Sequence, residues 1–424
     1  MNSTPKANRK HIIFYGKRNV GKSSIMNKII GQDVSLVSDV KGTTTDPVSK
    51  AMELLSIGPV VFIDTGGLDD EGELGILRVD KTMETLEKAD FAIYVMDIED
   101  IDDMFYPQLV KKFKEKNIPY IILINKIDLV SEEELKDIKR AIQWRLNREN
   151  VLFVSTNDES TIVNLKYELM KRLGTIVDRH ETLVGDIVPY GGKVIMVVTI
   201  DEEAPKGRLI LPQVQLIRDC LDHGIKSYIV RDTELVSALE DLKDVDLVVT
   251  DSQIFKKVEE NVPKEINLTS FSIIMARQKG DLDMFLEGIK CVEKLKEKAH
   301  PRVLIMESCT HNTSHEDIGK VKIPKMLERY IDRQIDFEFG AGQVFPRDLE
   351  GIDLVIHCGS CMLNKKTMLN RIQMCKDHNI PITNYGMVLA YLKGILNRAV
   401  HVFTNAGTAF VQSNESNESP LNPL

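Results

Sequence analysis

The chain has 424 residues, of which 43% are hydrophobic and 28% are charged, the composition of a globular protein with several domains. Its net charge of −9 argues against a broad surface for nucleic-acid phosphates, and its six cysteines are too few for a disulfide scaffold. No apolar run approaches the roughly 20 residues that span a bilayer, and no apolar stretch follows the basic N-terminal residues. We therefore expect a cytoplasmic protein that neither enters a membrane nor binds nucleic acid.

Residues 1–175 alternate short apolar runs with amphipathic stretches. The apolar runs are predicted as buried parallel strands, at 11–16, 60–65, 91–97, 120–125 and 151–155. Two amphipathic stretches, 79–89 and 131–147, are predicted as helices. This alternation predicts a doubly wound α/β domain.

A phosphate-binding loop is predicted directly after the first strand. Residues 16–23, GKRNVGKS, fit the pattern G-x-x-x-x-G-K-S/T and precede a predicted helix. Glycines let the backbone turn its N–H groups toward phosphate oxygens, and the helix N-terminus adds partial positive charge. Lys22 is expected to reach the β- and γ-phosphates, and Ser23 to bind Mg²⁺.

Polar segments follow three later strands in the order that a guanine-nucleotide site requires. They are residues 64–67 (DTGG), 125–128 (NKID) and 155–157 (STN). Asp64 is expected in the Mg²⁺ shell and the Gly67 N–H at the γ-phosphate. A carboxylate in the position of Asp128 accepts two N–H bonds from guanine that adenine does not offer.

Together these motifs resemble the translation-factor-type GTPases, in particular the tRNA-modification/Era-like branch. That branch carries a G-T-T-R-D switch, and GTTTD stands in its place at 42–46, with Thr45 where arginine is usual. The resemblance implies that Thr43 or Thr44 closes on Mg²⁺ and the γ-phosphate. It also implies that Asn19 binds K⁺, as in potassium-activated members. The expected catalytic residues are Lys22, Thr44, Asp64 and Gly67. The expected binding residues for GTP and its metal ions are Asn19, Val20, Gly21, Lys22, Ser23, Ser24, Thr43, Thr44, Asp64, Gly67, Asn125, Lys126, Asp128, Ser155 and Thr156.

Two smaller α/β, Rossmann-like domains are predicted after this one. A stretch around 175–192 has proline, glycine and little periodicity, and is predicted as a linker. Residues 176–264 then alternate strands and helices without a chemical motif, so a structural or oligomerising domain is expected. Residues 265–424 form the third domain, with predicted strands at 302–307, 353–358 and 381–385 and a polar, disordered end.

Thiol and imidazole side chains follow two strands of the third domain. Because the carboxyl ends of parallel strands share the edge where ligands bind, the two segments are expected to converge. Locally, a core cysteine, a redox dithiol and a metal site all remain open, and thiolates select zinc, Cu(I) or iron–sulfur clusters. Three thiolates with one replaceable ligand suit a 4Fe–4S cluster, whereas a closed zinc site takes four ligands. The residues are Cys309, His311, His357, Cys358 and Cys361.

A GTPase domain followed by C-x-H and H-C-x-x-C segments is similar to the FeFe-hydrogenase maturation GTPases, over about residues 10–402. The resemblance implies a dimeric, GTP-hydrolysing scaffold that receives a di-iron precursor from radical-SAM maturases and delivers it to apo FeFe-hydrogenase. It implies Cys309, Cys358 and Cys361 as 4Fe–4S ligands, with His311, His357 and Glu316 as candidates for the fourth position. The alternative is an RNA-modification or ribosome-associated GTPase with a zinc-binding C-terminal module.

Overall fold

A computed structural model gives the fold in two compact units, residues 1–179 and 180–424. The residues that it describes are 9–31, 47–54, 57–69, 81–101, 104–146, 150–176, 182–200, 209–308, 318–342, 344–346, 348–360 and 362–403. The polar end that the sequence predicts as disordered lies outside them. In the described helices, no segment is both long enough and apolar enough to span a bilayer.

The first unit is built on a six-stranded sheet in the order β2-β3-β1-β4-β5-β6. Its strands are β1 (Lys10–Tyr15), β2 (Val48–Leu54), β3 (Gly58–Asp64), β4 (Phe91–Asp97), β5 (Tyr120–Asn125) and β6 (Val151–Phe153). β2 runs antiparallel to β3, and the other pairs are parallel. The five predicted strands are confirmed. The sequence does not predict β2, because most of its residues are exposed or half-buried at the edge of the sheet and form no apolar run.

Both faces of this sheet are buried. Ile12 and Phe14 belong to one apolar layer, and Ile13 and Tyr15 to the other, all at 0% exposure. Side chains alternate between the faces of a strand, so a strand covered on both sides reads as a continuous apolar run. This explains why the parallel strands are visible in the sequence.

Four helices whose bounds lie within the described residues accompany the sheet. They are α1 (Lys22–Ile30), α2 (Phe105–Glu115), α3 (Glu132–Arg145) and α4 (Glu159–Ile176). The predicted helix at 131–147 is confirmed as α3, which begins with a capping box between Ser131 and Glu134. The one predicted at 79–89 is described from residue 81 and ends as a 3₁₀ turn, Thr85–Lys88.

The second unit contains two four-stranded parallel sheets, in the orders β10-β9-β7-β8 and β12-β11-β13-β14. The first consists of β7 (Lys193–Val197), β8 (Lys226–Val230), β9 (Leu247–Thr250) and β10 (Asn267–Ser270). The second consists of β11 (Arg302–Glu307), β12 (Asp336–Ala341), β13 (Leu354–His357) and β14 (Ile382–Asn384). Since β10 pairs with β9, the first sheet extends beyond residue 264, where the sequence placed the domain boundary. One cluster of buried residues runs through both sheets.

The helices of the second unit cover these sheets. They are α5 (Leu211–Asp222), α6 (Leu235–Asp241), α7 (Phe255–Glu259), α8 (Phe271–Lys279), α9 (Leu282–Lys294), α10 (Ile323–Ile331), α11 (Lys365–Asp377), α12 (Tyr385–Leu392) and α13 (Leu396–His401). A π-helical turn, Ile318–Lys322, leads into α10. The last two helices, α12 and α13, are separated at Gly394, whose φ is 74°.

Candidate functional site

The phosphate loop between β1 and α1 takes its shape from two glycines. Gly16 and Gly21 have φ angles of 143° and 96°, which side-chain-bearing residues rarely adopt. A Cβ on Gly16 would lie 2.3 Å from Val95 O, and one on Gly21 would lie 2.2 Å from Asn125 Nδ2. Any side chain at these positions would therefore push the loop away from β4 and from the end of β5.

Lys22 places a buried cation at the start of α1. It is 7% exposed, and its ammonium donates to Gly16 O at 2.9 Å and to Lys17 O at 2.6 Å. These two carbonyls belong to the phosphate loop itself. The charge is therefore held against the loop, where the predicted contact with the β- and γ-phosphates requires it.

Asp64 at the end of β3 and Ser23 in the first turn of α1 form the candidate Mg²⁺ site. The Ser23 hydroxyl donates to Asp64 Oδ2, while Asp64 Oδ1 is buried without a hydrogen-bond partner in the described part of the chain. Burial raises the pKa of Asp64, against the opposing Ser23 hydrogen bond and the charges of Lys22 and Lys50. A buried carboxylate oxygen without a donor is what a hard cation satisfies, so the pair fits Mg²⁺.

The segment that follows β3 lies against the phosphate loop. The Leu68 N–H donates to Gly16 O at 3.3 Å, and the Arg18 N–H donates to Asp69 Oδ1 at 2.7 Å. A Cβ on Gly67 would lie 2.3 Å from Arg18 Cγ. The two segments therefore approach each other closely at Gly67. This places Gly67 beside the phosphate loop, as its predicted N–H contact with the γ-phosphate requires.

Asn125 and Lys126 join the predicted base-recognition end of the site to the rest of the sheet. Asn125 is 2% exposed, and its Nδ2 donates to Val20 O at 2.8 Å. Lys126 has a left-handed φ of 63°, and its ammonium pairs with Asp97 at the end of β4. Asn19, the predicted K⁺ ligand, also has a left-handed φ, 58°, and is exposed.

Asp128 is oriented by two neighbouring side chains. Its carboxylate accepts hydrogen bonds from Ser155 Oγ at 2.6 Å and from Asn157 Nδ2 at 2.8 Å. These bonds, the Ser155 bond above all, lower the pKa of the exposed Asp128 carboxyl, which is therefore ionised at neutral pH. An ionised, fixed carboxylate suits the paired N–H donors of guanine. Thr156, half-buried, lies between the two residues that orient Asp128.

One positioning residue of this corner was missed in the sequence, whereas Asn157 belongs to the predicted segment 155–157. Thr161 lies in α4, and its hydroxyl accepts the Ser155 N–H at 3.0 Å. No short motif marks Thr161, because its contact depends on how α4 begins.

The ends of β11 and β13 adjoin at the carboxyl edge of their sheet, where Met306 pairs with His357. Ser308, the residue before Cys309, donates its N–H to Cys358 Sγ at 3.1 Å. Cys358 Sγ also lies 3.3 Å from Ser308 Oγ. The two strand ends that lead into the thiol segments therefore meet.

Several predicted ligands lie outside the described residues. They are Thr43, Thr44, Cys309, His311, Glu316 and Cys361. Within the described ranges, no group of three or more Cys, His, Asp or Glu side chains is arranged to hold a metal. Cluster ligation therefore stays a prediction, supported by the meeting of the strand ends and by the thiol at Cys358.

His357 is fully buried, and both of its ring nitrogens are engaged. Arg371 Nη1 lies 2.6 Å from Nε2, while Nδ1 lies 2.9 Å from Cys358 O and 3.1 Å from Ser360 Oγ. A guanidinium only donates, so Nε2 accepts and Nδ1 carries the proton. Service as a fourth cluster ligand would require His357 to give up one of these bonds.

Arg371 is a buried cation beside this loop. It is 2% exposed, and its Nη2 donates to Gly342 O at 3.2 Å. Burial lowers the pKa of Arg371 to about 10, against the opposing influence of the thiols of Cys358 and Cys375, so the guanidinium is charged at neutral pH. Arg371 is not identifiable from the sequence, because no recognisable spacing connects it with the thiols.

Family profiles match both units of the chain. Residues 283–402 match the hydrogen maturase F tetramerization domain, and residues 183–280 match the hydrogen maturase F dimerization domain. Residues 11–126 match a family described as 50S ribosome-binding GTPase. The two maturase profiles meet just after α8, so β10 and α8 fall in the dimerization domain.

Curated GTPases are similar to part of the chain. GTPase Der of Wolinella succinogenes is 37% identical over 166 residues, which cover 37% of this chain and 34% of the relative. The tRNA modification GTPase MnmE of Endomicrobium trichonymphae is 32% identical over 182 residues, covering 41% and 37%. The chain thus spans about a third of the length of these relatives. A solved structure of Era from Aquifex aeolicus, bound to GDP and AlF4−, aligns with a TM-score of 0.33 at 19% identity, covering 52% of this chain and 93% of that one.

Proposed function

We infer the function from one premise: the chain belongs to the hydrogen maturase F family. We propose that it is a GTP-hydrolysing scaffold that binds a 4Fe–4S cluster and assembles and delivers the di-iron precursor of FeFe-hydrogenase. The observation that supports this most is the bond from the Ser308 N–H to Cys358 Sγ. It joins the end of the strand that leads into Cys309 to the thiol of Cys358, inside a unit that matches the maturase domains.

We propose that the first unit hydrolyses GTP with the residues that meet at its sheet edge. Lys22 supplies a buried charge for the phosphates, and Asp64 and Ser23 hold Mg²⁺, with Thr44 as a further ligand. When bound, Mg²⁺ neutralises charge that develops on the phosphate oxygens. Leu68, 4% exposed, stands where Ras-like GTPases carry the glutamine that orients water. We therefore expect slow intrinsic hydrolysis, aided by K⁺ at Asn19.

We propose that the second unit carries the cluster. Cys309, Cys358 and Cys361 would bind three irons and leave the fourth to a weaker ligand, for which His311, His357 and Glu316 are the candidates. Such a cluster supplies an iron whose outer ligand can be exchanged. Radical-SAM maturases would supply the precursor, and apo FeFe-hydrogenase would accept it. The dimerization domain, residues 183–280, would form the homodimer.

The test is anaerobic reconstitution with iron and sulfide. We expect a brown protein with about four irons per chain, the content of one 4Fe–4S cluster. Cys358→Ser should lose most of this iron while GTP hydrolysis is unchanged. Cys291→Ser is the matched control, because Cys291 is a half-buried thiol on α9, away from the two strand ends. A colourless protein that holds a single tight zinc would contradict the proposal.

The alternative function draws on the first unit only. An RNA-modification or ribosome-associated GTPase with a zinc-binding module agrees with the ribosome-binding profile and with the names of the curated relatives. The second unit, however, matches the maturase domains. Hydrolysis that is stimulated by RNA, in a protein that accepts no cluster, would favour the alternative.

A further inference from the structure

A buried lysine near the end of α8 holds the H-C-x-x-C segment. This lysine precedes the segment in the chain, whereas Arg371 follows it. Lys279 is 4% exposed, and its ammonium donates to Ser360 O at 3.3 Å and to Leu363 O at 2.9 Å. These two carbonyls bracket Cys361 in the sequence. Lys279 therefore fixes the backbone on either side of a proposed cluster ligand.

Arg371 acts on the other end of the same segment through His357. Its guanidinium donates to His357 Nε2, and the opposite ring nitrogen donates to Cys358 O. The ring thus transmits the position of a fully buried arginine to the backbone of a proposed ligand. Ser360, with a left-handed φ of 57°, closes the turn.

We propose that Arg371 and Lys279 are positioning residues that preorganise the thiol loop, with His357 as a neutral brace and not as a metal ligand. The role rests on the proposed function, because it concerns the surroundings of the proposed cluster ligands. Two buried cations also suit a loop whose thiolates become anionic when they bind metal, since opposite charge offsets part of the cost of burying that anion. Residues that orient metal ligands in this way typically change metal affinity by about 10- to 100-fold.

Cobalt titration of the reduced, metal-free protein tests the positioning role without a cluster. Thiolate-to-cobalt absorption reports binding, and we expect Arg371→Met and Lys279→Met each to weaken it by about 10- to 100-fold. Arg371→Lys, which keeps a donor and the charge, should recover part of the loss. The matched controls are Arg329→Met and Lys290→Met, in which a cation is removed from α10 or α9 at a solvent-accessible position. Both controls should bind cobalt as the unaltered chain does.

Cobalt affinity that is unchanged in Arg371→Met and Lys279→Met would overturn the positioning role. Circular dichroism establishes that each variant is folded, and if Arg371→Met unfolds, Lys279→Met decides the question. An unaltered chain that binds cobalt through thiolates but takes up no cluster would remove the proposed function and leave the positioning role intact. If the unaltered chain takes up a cluster but Arg371→Met and Lys279→Met bind cobalt as tightly as it does, the positioning role would be removed and the proposed function would stand.

Pulsed electron paramagnetic resonance of the reduced cluster tests the role of His357. If His357 is a brace, His357→Gln, which can still accept from Arg371, leaves the nitrogen hyperfine couplings of the cluster unchanged. A ring-nitrogen coupling that is present in the unaltered chain and absent in His357→Gln would make His357 a ligand and overturn this part of the proposal.

Discussion

The nucleotide site and the thiol site both lie at the carboxyl edge of a largely parallel sheet. They differ in whether the residues that support them are close together or far apart in the sequence. The phosphate loop is one contiguous segment whose shape follows from left-handed glycines. The thiol loop is held by Lys279, Ser308 and Arg371, which are distant in sequence. A site made of contiguous backbone leaves a recognisable motif, whereas a site supported by distant side chains reveals only its ligands.

The largest expected effect is on GDP affinity and concerns Asp128, whose carboxylate is oriented by the side chains of Ser155 and Asn157. Hydrogen bonds to a charged acceptor contribute about 1.5–3 kcal/mol each. Losing two of them in Asp128→Asn should weaken GDP binding on the order of 10²- to 10⁴-fold in a fluorescence titration. Xanthosine diphosphate, with a carbonyl where guanine has an amino group, should bind the variant better than GDP does. Asp137→Asn, on the exposed face of α3, is the control. Unchanged GDP affinity in Asp128→Asn would show that this carboxylate does not face the base.

The next effect separates the two sites. Lys22→Ala removes the buried charge from the phosphate loop and should slow GTP hydrolysis by about 10²- to 10³-fold, the usual loss for one preorganised group that stabilises transition-state charge. Phosphate release at saturating GTP measures it, with Lys28→Ala on the exposed side of α1 as the control. Iron content after reconstitution should not change. Loss of both iron and hydrolysis would mean that the units do not function independently.

A pair of glycine substitutions compares the two ways of holding a site. Gly21→Ala places a Cβ 2.2 Å from Asn125 Nδ2 at a left-handed φ, which alone costs about 1–2 kcal/mol. GDP affinity should therefore fall by about 10-fold or more. A Cβ on Gly359 meets no described atom within 4 Å, so Gly359→Ala should keep its iron. If Gly359→Ala lost its cluster, the contrast between a backbone-built and a side-chain-supported site would be wrong.

The smallest effect is on stability and depends on pH. Burial raises the pKa of Asp64, so the folded unit binds this proton more tightly than the unfolded chain does. That stabilisation is present at low pH and is lost as pH rises through the raised pKa. In EDTA at neutral pH, Asp64→Asn should therefore increase the melting temperature of the first unit, because the amide carries no charge that burial disfavours. The difference should vanish below about pH 4, where the ordinary carboxyl is protonated as well. A variant that melts lower at neutral pH would contradict this account.

Three motifs of the nucleotide site were recognisable in the sequence because each begins at or directly after the end of a strand that is buried on both faces; they are residues 16–23, 64–67 and 125–128. Two of the strands that were missed share a physical cause. β2 and β12 lie at sheet edges, where exposed or half-buried residues interrupt the apolar run. Arg371 and Lys279 were missed for another reason: their contacts depend on the packing of α8 and α11 against the thiol loop, and packing partners leave no spacing in the sequence.

The π-helical turn at Ile318–Lys322 has a consequence for how the chain tolerates changes in length. A π turn holds one residue more than an α turn. A homologue with one residue fewer between β11 and α10 can rewind this turn as α-helix and leave Ile323 and the rest of α10 in place. Gly319 limits such rewinding, because a Cβ there would lie 2.1 Å from the Tyr385 hydroxyl oxygen. A single-residue deletion beside the first thiol segment should therefore be absorbed at this turn, with glycine retained where the backbone passes Tyr385.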